Sequence, residues 1–464
     1  MTERQNPSPD DRGVPPRPSP AEPSLLNEIV GALRGRTRDY TQGSLWRAII
    51  VLSVPMVLEM AMQSVFEVVD IYFVGKLGAD AVAAVGLTAS LIIIVFAIGL
   101  GLSLAATAMV ARRIGEKDER GAAQAAWQSV ILTIGVAVPI GIAAVFVSDD
   151  LLALMGATDS VIETGNGYAQ VMLGTNAIIL LLFLFNAIFR GAGDAATAMK
   201  ALWLANILNI ALDPVFIFGF GPVPAMGATG AAVATAIGRG VGVAYQLRVL
   251  FSPTGSIRMT RRDMVLDESV MRRLLKISGP GMMQYLVGTA SWLALMRMMA
   301  VFGSEALAGY TVAIRVIIFA LLPSWGISNA AATLVGQNLG AKRPDRAETS
   351  VWYCTGVDLV FLTVLGAVFF VFAEPVVRLF VSEAGAIEVG VRSMKILTAA
   401  YPIWAIGMVT VQSFNGAGDT TTPTWIHFFA FWIVQIPAAW ILAVPAGYGP
   451  TGIFIAIVIG QTIA

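Results

Sequence analysis

The chain has 464 residues, of which 56% are hydrophobic and 13% are charged, and its mean hydropathy is +0.75. A soluble domain carries about 25% charged residues, so this composition excludes an ordinary soluble enzyme. The 30 Lys and Arg residues balance 30 Asp and Glu residues, which leaves no net basic charge for binding nucleic acid. One cysteine and one histidine exclude an internal disulfide and a Cys/His metal site. The composition predicts a polytopic all-α membrane protein without a resident cofactor.

Residues 1–44 differ in composition from the rest of the chain. Prolines alternate with Ser, Asp and Arg before residue 24, and such a segment cannot bury a core. We therefore expect a disordered tail on the cytoplasmic side. The spacing of Leu25, Ile29 and Leu33 fits an amphipathic surface helix equally well. The first apolar run begins near Ala48, which is too late for a signal peptide.

Twelve apolar segments follow, and each needs about 20 residues to cross a bilayer. Their predicted limits, numbered as spans 1 to 12, are 46–74, 80–111, 122–147, 160–189, 195–219, 227–251, 271–302, 305–334, 347–372, 386–415, 422–445 and 450–464. Span 12 reaches only about 22 Å as a helix, short of the hydrocarbon core, so we expect the sequence to stop inside it.

The positive residues predict the orientation of these spans. Loops on one side are rich in Arg and Lys, whereas loops on the other side carry mainly Asp and Glu. The positive-inside rule places the basic loops and the N-terminus in the cytoplasm of a cell-membrane protein. The basic loops contain Arg112, Arg113, Lys117 and Arg120, then Arg258, Arg261, Arg262, Arg272 and Arg273, then Lys342, Arg343 and Arg346.

An internal repeat with one constant offset, 225 positions, divides the spans into two sets of six. The pairs are Pro55 with Pro280, Gly78–Ala81 with Gly303–Ala306, Gly115 with Gly340, and Phe189–Asp194 with Phe414–Asp419. Six spans per half give both halves the same orientation, as in parallel repeats that enclose a binding cavity. The predicted fold is two six-helix lobes, with an N-lobe at 45–251, a cytoplasmic linker at 252–270 and a C-lobe at 271–464.

Acidic residues follow one face of span 1. Glu59, Gln63, Glu67 and Asp70 are spaced by 4, 4 and 3 residues, and this polar stripe cannot face lipid. We expect Asp70 to line a cavity, although Glu67 and Asp70 near the outer end fit snorkelling to the headgroups as well. Glu59 lies deeper, where a structural pair with Arg239 and a role in transport are equally consistent with the sequence.

Span 5 carries a second polar face, formed by Asn206, Asn209 and Asp213. Pro214 leaves the carbonyl four residues earlier without its helical donor. Carboxylate, amide and hydroxyl oxygens are the ligands that a hard cation such as Na⁺ prefers.

The second half keeps the architecture but not these acids. The positions that the repeat matches to Glu59, Glu67, Asp70 and Asp213 hold Gln284, Trp292, Leu295 and Ala438. The coupling site is therefore expected in the N-lobe alone.

Two further features of the second half are consistent with purely structural roles. We expect Arg315 and Asp358, in consecutive spans, to neutralise each other. The methionine-rich span 7 holds Met283 beside Gln284 and Trp292, which suits either substrate contact or ordinary packing.

Taken together, these residues resemble the multidrug and toxic compound extrusion (MATE) transporters over about 46–464. The resemblance implies twelve helices in two lobes, export of organic and often cationic compounds coupled to a cation, and a bend in span 1 at Pro55. Its marks are Val69-Asp70 with Val74-Gly75, the two Gly-Ala-Gly-Asp turns, Gly336–Ala341, and Asn209 with Asp213-Pro214.

The MATE resemblance also implies the residues of the coupling site. The archaeal and DinF-like branch uses an aspartate in helix 1, an asparagine in helix 4, an Asn/Asp pair in helix 5 and a threonine in helix 6. These match Asp70, Asn186, Asn209, Asp213 and Thr235, with Na⁺ as a possible occupant of the Asp70/Asn209/Asp213 group. The NorM-like branch has acids in helices 7 and 10, whereas here helix 7 (271–302) has no Asp or Glu and helix 10 has none from Val391 to Gly416.

The sequence thus predicts a monomeric secondary antiporter that exchanges H⁺ or Na⁺ for drug-like cations, with Gln63, Gln284, Met283 and Trp292 as candidate substrate contacts. Repulsion between Glu67 and Asp70 predicts that one of them holds a proton at neutral pH. No G-x-x-x-x-G-K-[ST] motif is present, so nucleotide hydrolysis by that route is excluded. A lipid-linked oligosaccharide flippase would favour an Arg/Lys-lined cavity, and an intramembrane enzyme lacks a metal or paired-His constellation.

Overall fold

The structure, a computed structural model, describes residues 24–35, 38–253 and 255–464, and these residues form helices and their connections. We number the helices in chain order. The first half contains α1 (Leu25–Leu33), α2 (Leu45–Gly75), α3 (Ala79–Gly115), α4 (Glu119–Phe146), α5 (Ser148–Leu154), α6 (Asp159–Gly174), α7 (Asn176–Gly191), α8 (Ala195–Phe218) and α9 (Gly227–Leu250).

The second half continues the numbering. It contains α10 (Glu268–Ala300), α11 (Ser304–Gly340), α12 (Pro344–Val371), α13 (Ala373–Arg378), α14 (Ala384–Ala399), α15 (Tyr401–Ala417), α16 (Thr421–His427), a π-helical segment (Phe428–Gln435), α17 (Ile436–Ala443) and α18 (Pro450–Ile463).

The helices account for the twelve predicted spans. Within the described residues, seven continuous spans are long and apolar enough to cross a membrane, and two bent helix pairs bring the number to nine. Helices α9 and α10 have the length but are less apolar, and α18 is apolar but short. The short helices α5 and α13 lie between spans and were not expected from the sequence.

The internal repeat is visible in the helix boundaries. Helices α3 and α11 both have 37 residues, and α4 and α12 both have 28 residues. Each pair begins at positions that the repeat matches. The left-handed backbone positions repeat with the same offset, since φ is 62° at Lys117 and 58° at Lys342. The two halves therefore share turn geometry as well as helix order.

The two Gly-Ala-Gly-Asp turns, expected to stop helices α7 and α15, also start the helices that follow. Asp194 accepts a hydrogen bond from the Thr197 backbone N–H at 3.1 Å, and Asp419 accepts one from that of Thr422 at 3.0 Å. Both bonds satisfy a free N–H group at a helix start; Asp194 is the N-cap of α8, and Asp419 directly precedes Thr420, the N-cap of α16. The bonds from Thr422 lower the pKa of the Asp419 carboxyl below its usual value.

Spans 4 and 10, predicted as single helices, are broken. The axes of α6 and α7 differ by 45°, and those of α14 and α15 differ by 57°. At the first break the Thr175 hydroxyl donates to the Val171 carbonyl at 2.6 Å, a local bond that competes with the helical ladder. At the second break Pro402 occupies the first turn of α15, where proline favours a new helix start.

Span 11 was predicted as one regular helix, but its middle is π-helical. Pro437 has no backbone N–H, so the carbonyl of Ile433 loses its usual donor. A wider turn at this point redistributes the backbone bonds.

The two lobes meet through pairs of close-packed backbones. A Cβ atom on Gly101 of α3 would lie 2.6 Å from the backbone nitrogen of Met282 in α10. A Cβ atom on Gly326 of α11 would lie 2.7 Å from the backbone nitrogen of Val57 in α2. The internal repeat relates one contact pair to the other. Only glycine allows helices to approach this closely.

One end of the bundle, here called the basic end, carries α1, the linker and the loops after α3 and α11. Close to this end, the Gln337 side chain of α11 donates to the Gly191 carbonyl of α7 at 3.0 Å. The Thr333 hydroxyl donates to the Arg190 carbonyl at 3.1 Å. The two lobes are therefore in direct contact at the basic end.

Part of the segment predicted to be disordered is helical or packed. Residues Leu25–Leu33 form α1, and residues 38–44, here called the N-terminal strap, lie across the basic end. The Tyr40 side chain of the strap is 2% exposed, and its hydroxyl donates to the Gly193 carbonyl at 3.4 Å. Helix α1 agrees with the helical alternative for Leu25–Leu33, whereas the prediction of disorder is wrong for the strap, because Tyr40 supplies a buried anchor. Residues 1–23 and 36–37 of the predicted tail lie outside the described residues.

The N-terminal strap contacts both lobes. On the N-lobe, Lys117 forms an ion pair with Asp39 at 2.7 Å. Burial raises the pKa of Asp39, but the bonds from Lys117 and Thr41 outweigh it and hold that pKa below its usual value. The stabilisation that ionised Asp39 gives the folded protein is therefore complete above about pH 4, and it is lost only in more acidic solution.

The C-lobe holds the strap through arginine bonds to its backbone. Arg346 donates to the carbonyls of Tyr40 at 3.2 Å, Gln42 at 3.1 Å and Gly43 at 2.9 Å. Arg343 donates to the Thr41 carbonyl at 2.7 Å. The strap therefore bridges the two lobes at the end where they touch.

Replacing Arg346 should loosen the strap. In Arg346→Ala three charge-assisted bonds are lost, and we expect tryptic cleavage after Arg38 to become about tenfold faster or more, since one such bond contributes about 1.5–3 kcal/mol. Timed proteolysis of the full chain in liposomes measures this rate. Arg272→Ala, which removes only an exposed pair with Glu268, is the control. Equal cleavage rates in both variants would show that Arg346 does not hold the strap.

Candidate ion and substrate sites

The structure brings Asn209, Asp213 and Thr235 together inside the N-lobe. Asp213 of α8 is fully buried, and Asn209 lies one helical turn before it. The Asn209 amide donates to Asp213 Oδ2 at 3.0 Å and accepts from the Thr235 backbone N–H at 2.8 Å and hydroxyl at 2.9 Å. The orientation of the amide is assigned from this network. The second oxygen of Asp213, Oδ1, has no partner among the described residues.

Asp70 faces the same region from α2. Tyr168 of α6, which is buried, interacts electrostatically with Asp70, Asp213 and Arg239. Arg239 of α9 is 9% exposed and interacts in the same way with Asp70 and Glu67. We call Glu67, Asp70, Asp213 and Arg239 the acidic cluster. If all are ionised it carries two uncompensated negative charges inside the membrane.

Glu59 does not pair with Arg239, contrary to one expectation from the sequence. Its Oε1 accepts from Arg190 at 2.9 Å and from Asn186 at 3.0 Å, both on α7. Arg239 lies instead at the level of Glu67 and Asp70, which are about 12 to 17 Å further along α2. Asn186 consequently belongs to the Glu59 pair, and the structure does not bring it to the acidic cluster.

Arg190 and Tyr168 were missed by the sequence analysis. Arg190 had a usable signal, because the matching position in the second half is Asn415, so the charge exists only in the N-lobe. Tyr168 had none, since its contacts depend on the packing of α6 against α9.

A cavity of about 250 Å³ lies between the lobes. Its polar wall comes mainly from the N-lobe and includes Glu59, Gln63, Glu67, Asn186 and Arg190. Aromatic side chains from both lobes complete it, namely Phe96, Phe183, Tyr285 and Trp325.

Of the four predicted substrate contacts, Gln63 lines this cavity. Helix α10 presents Tyr285 to it instead of Met283, which is half exposed, or Gln284, which is buried. Successive residues of an α-helix are rotated by about 100° around its axis, so Met283 and Gln284 point away from the face that carries Tyr285. Trp292 packs against the C-lobe core. The structure therefore does not place Met283, Gln284 or Trp292 at the cavity.

A larger open groove of about 750 Å³ runs along the outside of α2 and α12 near the basic end. Trp46, Trp352 and Tyr353 line it and are about half exposed. Aromatic residues are enriched where helices meet the membrane–water interface, and a position at that interface would account for this groove.

Pro55 lies inside α2, which continues through it as one helix from Leu45 to Gly75. The neighbouring residues Met56 and Val57 contact the backbone of Gly326 in α11. The proline thus sits where α2 crosses onto the C-lobe.

The expected Arg315–Asp358 pair is absent from the described residues. Arg315 is exposed, whereas Asp358 is fully buried and forms a hydrogen bond with the Ser324 hydroxyl at 2.7 Å. The two side chains occupy different faces, so sequence depth alone was a poor guide to pairing.

Breaking the Glu59–Arg190 pair should destabilise the protein. Arg190→Gln leaves Glu59 buried without its cation, and we expect the free energy of unfolding to fall by about 3–5 kcal/mol, as for other buried pairs. Thermal unfolding of Arg190→Gln, Glu59→Gln and the double variant measures the coupling. If the two single effects simply add, the pair is not an energetic unit.

The comparisons with known proteins agree with this architecture. The MatE family model matches residues 55–215 and again residues 280–441, more than half of the chain, and the starts of the two matches are separated by the repeat offset. The chain is 30% identical over 398 residues to "Probable multidrug resistance protein NorM" of Thermotoga maritima, covering 85% of each protein. It is 21% identical over 425 residues to "Multidrug export protein MepA" of Staphylococcus aureus, covering 91% of this chain and 92% of that protein.

A solved structure described as the outward-facing conformation of a multidrug resistance MATE family transporter superposes with a TM-score of 0.86. It is 28% identical and the match covers 92% of this chain and 96% of that one. Such structures have twelve helices in two lobes, which confirms the predicted fold class. MATE proteins are transporters, and the prediction that the chain is not an enzyme is likewise confirmed. The chain belongs to the MatE family of multi-pass membrane transporters.

Proposed function

We propose that this transporter is a secondary antiporter, which exports drug-like organic cations and takes up H⁺ or Na⁺ through its N-lobe. The acidic cluster is the observation that carries this proposal. Glu67 and Asp70 interact with the one guanidinium of Arg239, and Asp213 interacts with Asp70, so the cluster has three carboxylates and one cation inside a membrane-spanning lobe. Uncompensated charge at that depth is costly. A bound cation compensates it.

The geometry around Asp213 suits a small cation. Its Oδ1 has no partner among the described residues, and a carboxylate oxygen is a ligand of the type that Na⁺ prefers. The Asn209 amide turns its nitrogen to Asp213 and its oxygen to Thr235, so it would supply an oxygen ligand only after rotating. A proton on Asp213 or Asp70 would remove one negative charge directly. These N-lobe residues also support assignment to the archaeal and DinF-like branch.

The cavity supports an organic cation as the exported substrate. Four aromatic rings line it, and cations bind favourably over aromatic faces. Glu67 on the same wall supplies negative charge, whereas the charge of Arg190 is taken up by Glu59. An anionic lipid-linked sugar is therefore a poor match. A volume of about 250 Å³ is below the roughly 300–1,000 Å³ of drug-sized sites, so the cavity must widen when substrate binds.

The direction of transport follows from the charges at the two ends. The positive-inside rule places the basic end, including the N-terminal strap, in the cytoplasm of a cell-membrane protein. Because the lobes are in contact at that end, this conformation is closed on the proposed cytoplasmic side. The binding groups lie within one chain, so a monomer is sufficient.

The coupling role of the acidic cluster is tested by charge removal. We expect Asp70→Asn and Asp213→Asn each to abolish efflux driven by an imposed Na⁺ or pH gradient in proteoliposomes, because neither amide can exchange a cation. Separate Na⁺ and pH gradients identify the coupling ion.

The control is Asp150→Asn, an exposed carboxylate on α5 outside the cluster. It should transport like wild type. Wild-type rates in Asp70→Asn or Asp213→Asn would place the coupling site elsewhere.

Competition between protons and substrate provides a second test. Without Na⁺, substrate affinity should rise between about pH 5 and pH 9, by up to about tenfold per pH unit for one competing proton. The reason is that a basic drug favours the ionised Glu67–Asp70 face. Glu67→Gln, which removes one of the two charges, should flatten the curve. An affinity independent of pH in both proteins would exclude this pair as the proton site.

A further inference from the structure

The C-lobe contains a buried carboxylate of its own, Asp358 in the middle of α12. Its side chain is fully buried, and its Oδ1 atom has no partner among the described residues. Asp358 lies about four turns after Pro344, the first residue of α12, which places it about 21 Å from the basic end. An ionised carboxylate at such a depth is costly unless a cation compensates it.

No such cation faces Asp358 from the described parts of the surrounding helices. The other titratable group in electrostatic contact with it is the thiol of Cys354, one turn away on α12. Charged groups on the neighbouring helices have other surroundings. Arg315 of α11 is exposed, and Lys395 of α14 lies over the ring of Phe370. The remaining groups form ion pairs, which are Arg392 with Glu388 on α14, Arg378 with Glu374 on α13, and Glu59 of α2 with Arg190. Helix α15 carries no Asp, Glu, Lys or Arg.

The hydrogen bonds of Ser324 fit a neutral Asp358 better than an ionised one. The Ser324 oxygen lies 2.7 Å from Asp358 Oδ2 and 3.6 Å from the sulfur of Met408 in α15. A hydroxyl has one hydrogen, so it cannot donate to both. If Asp358 is protonated, its O–H donates to Ser324 and Ser324 donates to Met408. Each hydrogen in this three-residue relay then has an acceptor.

The relay lies directly behind the wall of the central cavity. Trp325, next to Ser324, and Gln412, one turn after Met408, both line the cavity. Two more buried hydroxyls without partners, those of Ser328 and Thr355, lie about one turn closer to the basic end on the same two antiparallel helices. A single layer of polar side chains therefore lies between Asp358 and the cavity, where substrate would bind.

Asp358 is also close to the point where α2 crosses onto the C-lobe. Its neighbour Cys354 packs in one cluster with Leu52 and Met56 of α2, on both sides of Pro55. Gly326, two residues after Ser324, touches the α2 backbone at Val57. A change of charge at Asp358 would thus act on the segment of α2 that bridges the lobes.

We propose that Asp358 is a second proton-binding site, located in the C-lobe, which takes up and releases a proton through Ser324 during the transport cycle. The proposal rests on the proposed antiport function. It adds a site in the C-lobe, where the positions that match the N-lobe acids hold no acidic residue and no coupling site was expected.

Infrared absorption of protonated carboxyl groups tests proton binding directly. In full-length protein in Na⁺-free liposomes at neutral pH, Asp358→Asn should lose one carboxylic-acid C=O band that wild type shows. Asp345→Asn, an exposed carboxylate on the same helix, should keep it. Ser324→Ala retains Asp358 but should shift the band, because the bonded hydroxyl is gone. This variant tests the relay even if Asp358→Asn folds poorly. An unchanged band in both Asp358→Asn and Ser324→Ala would overturn the proposal.

Transport decides whether the proton exchanges. We expect pH-gradient-driven efflux in Asp358→Asn to fall by between about 5-fold and 150-fold, the range of typical coupling free energies. A lost band with wild-type efflux would mean a permanently bound structural proton and would overturn the exchange step. Loss of the wild-type band on adding Na⁺ at constant pH would identify a metal cation as the ligand and equally overturn it.

The two proposals fail in distinguishable ways. If wild type shows no efflux under any imposed ion gradient, the antiport function fails. The infrared band and its reversible loss on raising the pH still decide whether Asp358 binds a proton.

Discussion

Two glycines determine how the lobes of this transporter meet. At Gly101 and Gly326 the backbones of α3 and α11 touch those of α10 and α2, and a single methyl group would not fit. Because of these contacts, the first part of each lobe's first helix packs against the opposite lobe. Pro55, the break in the backbone bonding of α2, therefore lies at the interface between the lobes. The cavity, the N-terminal strap and the position of Asp358 all follow from this crossing.

The architecture is symmetric, but the charges are not. Helix lengths, left-handed turn residues and the aspartates at helix starts occur at matching positions in the two halves, whereas the acidic cluster and the Glu59–Arg190 pair occur only in the N-lobe. Backbone packing tolerates only small residues at the crossings, so those positions stay alike. Side chains that face a cavity are free of that restriction and can specialise. If the N-lobe binds the coupling ion as proposed, a symmetric scaffold with one charged half would let that binding alter the contact between the lobes.

The sequence was sufficient for the fold because its signals were long-range and redundant. Twelve apolar runs predicted the spans, one constant offset divided them into two lobes, and the asymmetry of the basic loops predicted their orientation. The breaks in spans 4 and 10 were not predicted, because the hydroxyl bond of Thr175 and the proline at Pro402 leave the hydrophobic run of each span uninterrupted. The strap escaped because one buried tyrosine, Tyr40, ordered a segment whose composition indicates disorder.

The site was harder to predict because pairing depends on rotation and depth together. Helical spacing correctly placed Asn209 and Asp213 on one face, and the resemblance supplied Thr235. Helical spacing could not show that Arg239 lies two to three turns away from Glu59, or that Arg190 is the cation that pairs with Glu59. The same limitation hid Asp358, whose assumed partner Arg315 is exposed.

The position of Asp358 changes how the two lobes can cooperate. In the proposed antiport the acidic cluster of the N-lobe would bind the coupling ion, but it lies near the end of α2 that is remote from the interlobe crossing. Asp358 lies at the crossing itself, behind the cavity wall and beside the cluster that holds Leu52 and Met56. Neutralising a charge there removes a desolvation cost at the interface of α2 with α11 and α12. Ion occupancy in one lobe and proton occupancy in the other would then favour the same arrangement of α2, which is the differential stabilisation that alternating access requires.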